Sequence, residues 1–431
     1  MTEGALGGSV KWELTPDGLH ASIDEPREVY RAYRRATRKS KKHKDSLLSR
    51  ESVEDPGDEI DEPSIDDTDD DWKENLLTEL RSLSPSGFET FCQRLLYELK
   101  FEKVLVTGGT GFIGSHIVES LVYKGHEVTV FDNFSTGLLK NISSVKDDVK
   151  IINGDILDAE TLEKAFKGID IVSHQAAQLE IFRSTDDPYF DLKVNTVGTL
   201  NILKIARSMN VEKVINASSA CIYGQVDGLT PETHYPKPNW EYGVSKLAAE
   251  KYCDIYSEYM GLPVVNLRYA ITYGEREWFR RVLTIFVKRV ILGKSPVVFG
   301  DGEQIRDFIY VGDVVDFHNK CLETPVVNGE SYNVSTGIST TVTELGRKVV
   351  EASGKNIELI YEDTKEGEFS KLVHDKKRNL AELKVMLLDN SKAKKDLDWQ
   401  PEIALIDGLK KQIKWASENI ERWEQVYYSK Y

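Results

Sequence analysis

Residues 103–116 read KVLVTGGTGFIGSH, and the fold follows from this stretch. KVLVT is an apolar run of strand length. It runs directly into Gly108-Gly109-Thr110-Gly111-Phe112-Ile113-Gly114, where Gly108, Gly111 and Gly114 are spaced GxxGxxG. The first glycine permits a tight turn and the second lets the backbone approach a pyrophosphate. The third permits close packing of helix on strand, and the helix N-terminus favours the anion. A helix is expected from about Ile113 to Lys124, ended by Gly125. The next strand, HEVTVFD, ends at Asp132, 18 residues beyond Gly114 (132 − 114). A carboxylate at that place accepts hydrogen bonds from ribose hydroxyls and repels a 2′-phosphate. A glycine pattern alone fits any tight turn. The preceding strand, the following helix and the acid together predict a dinucleotide site that takes NAD rather than NADP.

Outward from this unit, strands are predicted at 149–153, 169–174, 212–217 and 263–268. Helices are predicted between them at 159–167, 190–209 and 241–260. Such alternation predicts an α/β fold, a doubly wound and mainly parallel sheet of the Rossmann type. Beyond about residue 270 the elements mix, as expected of a smaller C-terminal α/β lobe that takes substrate. Asp155-Ile156, after Gly154, closes the third strand at a place that reaches an adenine ring.

Composition bounds the remainder. The 431 residues carry 56 Lys+Arg and 71 Asp+Glu, a net charge of −15. This argues against a general polyanion binder. Hydrophobic residues make up 40% of the chain, enough for a sizeable core, and no run approaches the ~18 apolar residues of a membrane span. The N-terminus lacks the layout of a signal peptide. The four cysteines, Cys92, Cys221, Cys253 and Cys321, show no metal spacing, so no metal and a reduced, cytoplasmic setting are expected. Charge is unevenly spread. Residues 27–44 are basic, and 51–71 hold twelve acidic side chains and no Lys or Arg. Without those twelve the balance is 56 − 59, or −3, so the acidity is mostly a property of an expected disordered linker at 38–70. A helical unit, 71–100, follows it.

Tyr242-Gly-Val-Ser-Lys246 is YxxxK, and on a helix positions i and i+4 share a face. An ammonium beside the phenol favours phenolate, lowering a pKa normally near ~10. The lysine can also hold the nicotinamide ribose. Ser218-Ser219 ends the apolar strand VEKVINA, where a hydroxyl can bond a substrate hydroxyl undergoing oxidation. Sequence physics does not choose between the two serines.

These pieces together resemble the extended short-chain dehydrogenases/reductases, in their NAD-dependent epimerase/dehydratase branch, typified by UDP-glucose 4-epimerase. The matching segments are VTGGTGFIGSH, FDNFSTG, GDI, HQAAQ, NTVGTLN, SSACIYG, YGVSK, LRY and GDGEQIRDFIYVGDV, in order over about three-quarters of the chain. The resemblance implies that Phe112 and Ile113 lie over the pyrophosphate with Gly108, Gly111 and Gly114. It implies that Asp132, Asn133, Phe134, Ser135, Thr136 and Gly137 line the adenosine ribose side, and that Asp155 and Ile156 touch adenine. Gln175, Ala176, Ala177 and Gln178 would follow the fourth strand beside the cofactor, with Asn195 fixing that loop. Ser219 takes the catalytic serine position, Tyr242 the base and Lys246 its partner. Gln178 and Ser219 would also meet substrate, and Arg306 would bind the diphosphate of a nucleotide sugar, as a guanidinium suits. A homodimer through two helices of the NAD-binding half is implied, with NAD binding mainly at 101–270 and substrate mainly at 271–431.

Three departures bear on function. Relatives that eliminate water or carbon dioxide carry an acid just after the catalytic serine or threonine; here stand Ala220 and Cys221. Epimerisation, most simply at C4 with NAD tightly held, is therefore expected ahead of dehydration, decarboxylation or net reduction. The family's RYFN stretch reads Arg268-Tyr269-Ala270-Ile271. Arg276, Arg280 and Arg281 form a cluster suited either to substrate phosphate or to a solvated helix face.

The front end differs. Residues 71–107 resemble the start of the catalytic domain of Mrr-type restriction endonucleases, and VKWELTPDG within 1–37 resembles a winged-helix remnant. Glu89 matches the nuclease's first acid. The further carboxylates and lysine that would hold Mg²⁺ are missing, so no nuclease activity is expected. A DNA-associated or regulatory NAD-binding protein is the alternative of another class, resting on the basic 27–44 stretch.

Overall fold

The computed structural model describes residues 102–277, 281–374 and 376–421. The readings made for 1–37, 38–70 and 71–100, together with Glu89 and Arg280, lie outside them.

Strand β1, Lys103–Thr107, is an interior strand of a seven-stranded sheet. Its Val104, Leu105 and Val106 are fully buried, as expected of a parallel strand covered on both faces. Helix α1, Phe112–Tyr123, leaves it through the glycine turn. Gly125 then adopts φ +94°, a left-handed conformation that glycine takes without penalty. Chain order continues through β2 (Glu127–Asp132), β3 (Lys150–Asn153), α2 (Ala159–Ala165) and β4 (Ile171–His174). Short helices α3 (Ile181–Asp186) and α4 (Pro188–Leu192) precede α5 (Gly198–Ser208) and β5 (Lys213–Ser219). Helix α6 (Glu241–Met260) and β6 (Val264–Tyr269) complete this half.

The sheet order is β3-β2-β1-β4-β5-β6 with one more strand, β11 (Ser331–Val334), beside β6. Every pairing in it is parallel. The expected doubly wound sheet is therefore present. Strand order reverses between β1 and β4, and ligands of open α/β sheets bind at such a point, beyond the carboxyl ends of the strands.

A second core packs around Tyr273, Leu283, Phe286, Phe308 and Leu345. Its elements are β7 (Ile271–Tyr273), α7 (Val282–Ile291), β8 (Val297–Phe299), β9 (Ile305–Arg306) and β10 (Phe308–Tyr310). Helix α8 (Val311–Glu323) leads to β11, and then come β12 (Thr340–Thr341), α9 (Val342–Ser353), β13 (Ile360–Glu362) and β14 (Val385–Met386). Helices α10 (Ser391–Leu397) and α11 (Leu405–Glu418) end the described fold. No helix among the described residues is long and apolar enough to cross a membrane, and no cluster there is suited to a metal.

The helix expected at 190–209 contains a π turn, Lys193–Val197, between α4 and α5. Periodicity does not register such a turn, because a single i→i+5 turn is too short to leave a period of its own. π turns are frequent at functional sites, and this one carries Asn195.

Two histidines, His174 of β4 and His318 of α8, are buried as neutral groups. His174 bonds Thr107 Oγ1 at 2.7 Å and Thr199 Oγ1 at 3.0 Å. His318 bonds Ser173 Oγ at 2.9 Å. Burial lowers their pKa values to about 3 and about 4. The unfolded chain therefore binds more protons below about pH 6.5, and stability falls as pH drops from there toward 4. Replacing His318 with Gln is expected to flatten this slope by about 1 kcal/mol per pH unit. Urea unfolding at several pH values below neutrality measures it, and an unchanged slope would contradict the assignment.

Candidate active site

The glycine turn packs against the start of the loop that leaves β4. Gly108 has φ +65°, and a Cβ on it would lie 2.8 Å from Ala176 N. A Cβ on Gly114 would lie 2.1 Å from Gly108 O, so the α1 N-terminus can approach this closely only with glycine there. Gly111 donates to Gly108 O at 3.0 Å. Phe112 and Ile113 open α1, partly buried.

Asp132 ends β2 with its carboxylate fixed. Oδ2 accepts from Thr110 N at 2.9 Å and Oδ1 from Phe134 N at 2.8 Å. Phe134 takes φ +55° in this bend, Ser135 N donates to Asn133 Oδ1 and Asn133 Nδ2 donates to Asp155 Oδ2, both at 2.9 Å. Thr136 is partly buried, and Gly137 packs against Thr110. Ile156 is buried behind Asp155. Thr110 Oγ1 is buried with no hydrogen-bond partner among the described residues. Buried hydroxyls are rarely left so, and the cradle fits a dinucleotide whose oxygens would satisfy it.

Gln175 N and Ala176 N bond Thr107 at 3.1 and 3.3 Å, keeping this loop on the strand ends, with Ala177 following. Asn195 clamps Gln178 from the π turn. Its Oδ1 accepts from Gln178 N and its Nδ2 donates to Gln178 O, both at 2.9 Å. The Gln178 side chain donates to Asp191 Oδ1 at 2.9 Å. Its Nε2 also donates to Glu180 O at 2.9 Å. Asp191 was not singled out from sequence. It stands four residues before Asn195, on the same helical face, and is 1% exposed. Its burial raises its pKa.

The two serines of β5 separate by strand alternation. Ser218 Oγ donates to Glu250 Oε2 at 2.7 Å, inside a buried network. Ser219 faces the other way, toward Tyr242, where its hydroxyl favours the phenolate. It also accepts from Cys221 N at 3.1 Å, capping the turn Ala220–Ile222. Helix α6 approaches that turn through Gly243, where a Cβ would lie 2.4 Å from Cys221 O. This close approach brings Tyr242 beside Ser219.

Lys246 is 5% exposed and donates to Ala217 O at 2.8 Å. Burial lowers its pKa to about 8, opposed by Asp191. The expected lowering of the Tyr242 pKa is absent in the chain alone. Burial raises it, Cys221 adds to the rise, and the nearby Ser219 hydroxyl opposes. The lysine is directed to Ala217 O, so desolvation of the phenol dominates.

Arg306 reaches the same wall. It and Arg281 act electrostatically on Cys221, and Arg281 also acts on Tyr242. The one hydrogen bond Arg306 makes among the described residues runs from Nη1 to Ile305 O at 2.8 Å. Arg281 pairs with the buried Glu277. Arg276 is turned away to Glu119 Oε2 at 2.6 Å and Ser115 Oγ at 3.2 Å. It ties the loop after β7 to α1.

The chain matches the NAD dependent epimerase/dehydratase family over residues 104–335. It is 34% identical over 322 residues to the UDP-glucose 4-epimerase of Mycolicibacterium smegmatis, covering 73% of this chain and 98% of that one. The structure of Thermotoga maritima UDP-glucose 4-epimerase with UDP-glucose superposes with a TM-score of 0.67 and 33% identity, over 74% of this chain and 99% of that one. That of the Thermus thermophilus UDP-glucose 4-epimerase complex with NAD gives 0.65 and 35%, over 73% and 98%. With its parallel sheet, its glycine cradle and its serine–tyrosine pair, the chain belongs to the NAD dependent epimerase/dehydratase family.

Proposed function

We propose that the protein is an NAD-dependent nucleotide-sugar epimerase acting at C4 through a transient 4-keto sugar. The observation that carries this reading is the Ser219–Tyr242 pair at the end of β5, beside the cradle, with Ala220 and Cys221 following and no carboxylate there. Gly108, Gly111, Gly114 and the α1 N-terminus would hold the cofactor's pyrophosphate, and Asp132 its adenosine ribose. Bound NAD supplies a two-electron acceptor that is regenerated within each turnover.

Every other step falls to the chain. Ser219 hydrogen-bonds the C4 hydroxyl and orients it toward Tyr242. Tyr242 Oη takes the hydroxyl proton and later returns it, so the cycle is proton-neutral. Lys246 lies one helical turn beyond and supplies the positive charge that favours phenolate once cofactor and substrate are bound. Arg306 binds the diphosphate and leaves the sugar free to turn over in the pocket. The NAD-binding half is 101–270 and the substrate half 271–431 in this reading. With no acid beside Ser219, elimination from the keto sugar lacks its proton carrier.

The test is incubation with UDP-, dTDP-, GDP- and CDP-sugars, followed by mass and NMR analysis. An isomer of unchanged mass, with no net NADH, is expected. A lighter product or accumulated NADH would assign dehydration, decarboxylation or net oxidation instead.

We further propose a homodimer. Val244, Tyr252, Ile255 and Tyr259 are 52, 39, 41 and 73% exposed along one face of α6, and Leu192 and Val197 of the neighbouring helical run are 45 and 41% exposed. A second copy covering this stripe would bury it. Sedimentation should give a dimer, and a monomer at micromolar concentration would refute it.

A further inference from the structure

Asp191, on α4, is a buried carboxylate with one of its two oxygens unpartnered. Oδ1 accepts from Gln178 Nε2 at 2.9 Å and from Asn195 Nδ2 at 3.1 Å. Oδ2 is buried with no hydrogen-bond partner among the described residues. Buried polar atoms are rarely left so. On a carboxylate the bare oxygen is costly unless an opposite charge lies near.

The surrounding elements identify that charge. Asn195 Nδ2 also donates to Ser245 Oγ at 3.1 Å, and Thr196 Oγ1 donates to Ser245 O at 3.0 Å. The π turn is thereby fastened to α6 at the residue before Lys246. An ammonium has three N–H donors, and Lys246 directs one to a neutral acceptor, Ala217 O. The other titratable groups around it bring no charge. His174 of β4 is neutral. Burial keeps the Cys253 thiol and the Tyr242 phenol of α6 protonated. Asp191 is the largest influence that holds the proton on Lys246 against burial. Burial pushes the Asp191 carboxyl up as well, with Glu241 adding to the rise, while Ser245, Gln178 and Lys246 oppose. Asp191 also disfavours the Tyr242 phenolate, but less than burial and Cys221 do. On Lys246 only burial exceeds it, so the lysine is where it acts most.

We propose that Asp191 is a positioning residue of the reaction, the buried counter-charge that keeps Lys246 an ammonium beside the catalytic tyrosine. The proposal rests on the reading of Tyr242 and Lys246 as base and partner. Asp191 acts through the lysine and not on substrate. Without its charge the ammonium sheds its proton at lower pH, and the phenolate loses the charge that favours it. The loss therefore falls on the alkaline side of the pH profile.

Asp191→Asn isolates the charge. The asparagine oxygen can still accept from Gln178 and Asn195, and only the unpartnered oxygen is exchanged. In full-length holoenzyme carrying carbon-13 lysine, the Lys246 signal is assigned by its loss in Lys246→Met. It should titrate about one pH unit lower in the Asp191→Asn variant. With a nucleotide sugar that the wild type epimerises, the alkaline limb of kcat should move by the same unit. That is a loss of about tenfold above the limb and none below it, at unchanged KM. An unmoved Lys246 titration in a variant that melts like wild type overturns the proposal. So does a kcat lowered equally at every pH, which marks a structural role alone. Should Asp191→Asn not fold, the carboxyl carbon signal of Asp191 in the wild type decides. An ionised carboxylate near pH 7 supports the proposal, and a carboxyl still protonated there overturns it. The lysine titration needs no turnover. If it shifts as expected and no nucleotide sugar is epimerised, the epimerase reading falls and the charge pair stands.

Discussion

Tyr242→Phe is expected to lower kcat for epimerisation by about 10²–10⁴-fold, the range associated with loss of a positioned general base. Phenylalanine keeps the ring that helps fill the wall beside Cys221 and removes only Oη. The cofactor cradle is built from β1, β2 and β4, so bound NAD should be retained. The expected signature is a protein of wild-type melting temperature and NAD content that turns over poorly. Ser219→Ala should give a smaller loss, since it removes one hydrogen bond to the reacting hydroxyl and leaves the proton carrier. Near-normal turnover by Tyr242→Phe would move the base elsewhere and remove the basis of the proposed mechanism. The raised pKa of the buried phenol sharpens the experiment. In the chain alone burial wins over charge, so the phenolate has to be produced by what binds beside it. Rate should therefore depend on cofactor occupancy as well as on pH.

How much of this was legible in the sequence differs residue by residue. The cradle was, because GxxGxxG between an apolar strand and a helix leaves few structures, and Asp132 stands where β2 has to end. The helix α6 was legible to the residue, Glu241–Met260. The choice between Ser218 and Ser219 was not legible from physics. β5 is buried along its whole length, so it lacks the polar–apolar alternation that would mark its two faces. Only the resemblance selected Ser219; the structure places Ser218 against Glu250 and Ser219 on the other face of the strand. Arg276 was grouped with Arg281 by sequence proximity, but positive φ at Arg276 turns it toward α1. Asn195 was placed by family likeness, while the π turn that aims it, and Asp191 one turn before it, required coordinates.

The Ser218 side of β5 leads to the largest expected effect on stability. Glu250→Ala is expected to destabilise the fold by about 3–5 kcal/mol, the range for removing one partner of a buried ion pair. Glu250 is fully buried and Arg268 is 5% exposed. Arg268 Nε bonds both Glu250 oxygens at 3.2 Å, and its Nη2 pairs with Oε1. Nη1 continues to Tyr223 Oη at 2.7 Å, which donates to Asn333 Oδ1 at 2.8 Å. The network thus ties α6 and the ends of β5, β6 and β11 together. Alanine at 250 leaves the guanidinium with no charge partner in a place where water cannot reach it. Ser218→Ala removes only a neutral donor to a carboxylate that Arg268 still satisfies, so about 1 kcal/mol is expected. Urea unfolding of the two variants supplies the ratio. A loss below about 1 kcal/mol for Glu250→Ala would mean that the pair is solvated or replaceable. The order of the two effects matters for mechanism as well. If Ser218 were the reacting serine, its replacement would abolish turnover with little change in stability. If its role is to hold Glu250, turnover by Ser218→Ala should stay near wild type, because Ser219 and Tyr242 keep their contact on the opposite face of the same strand.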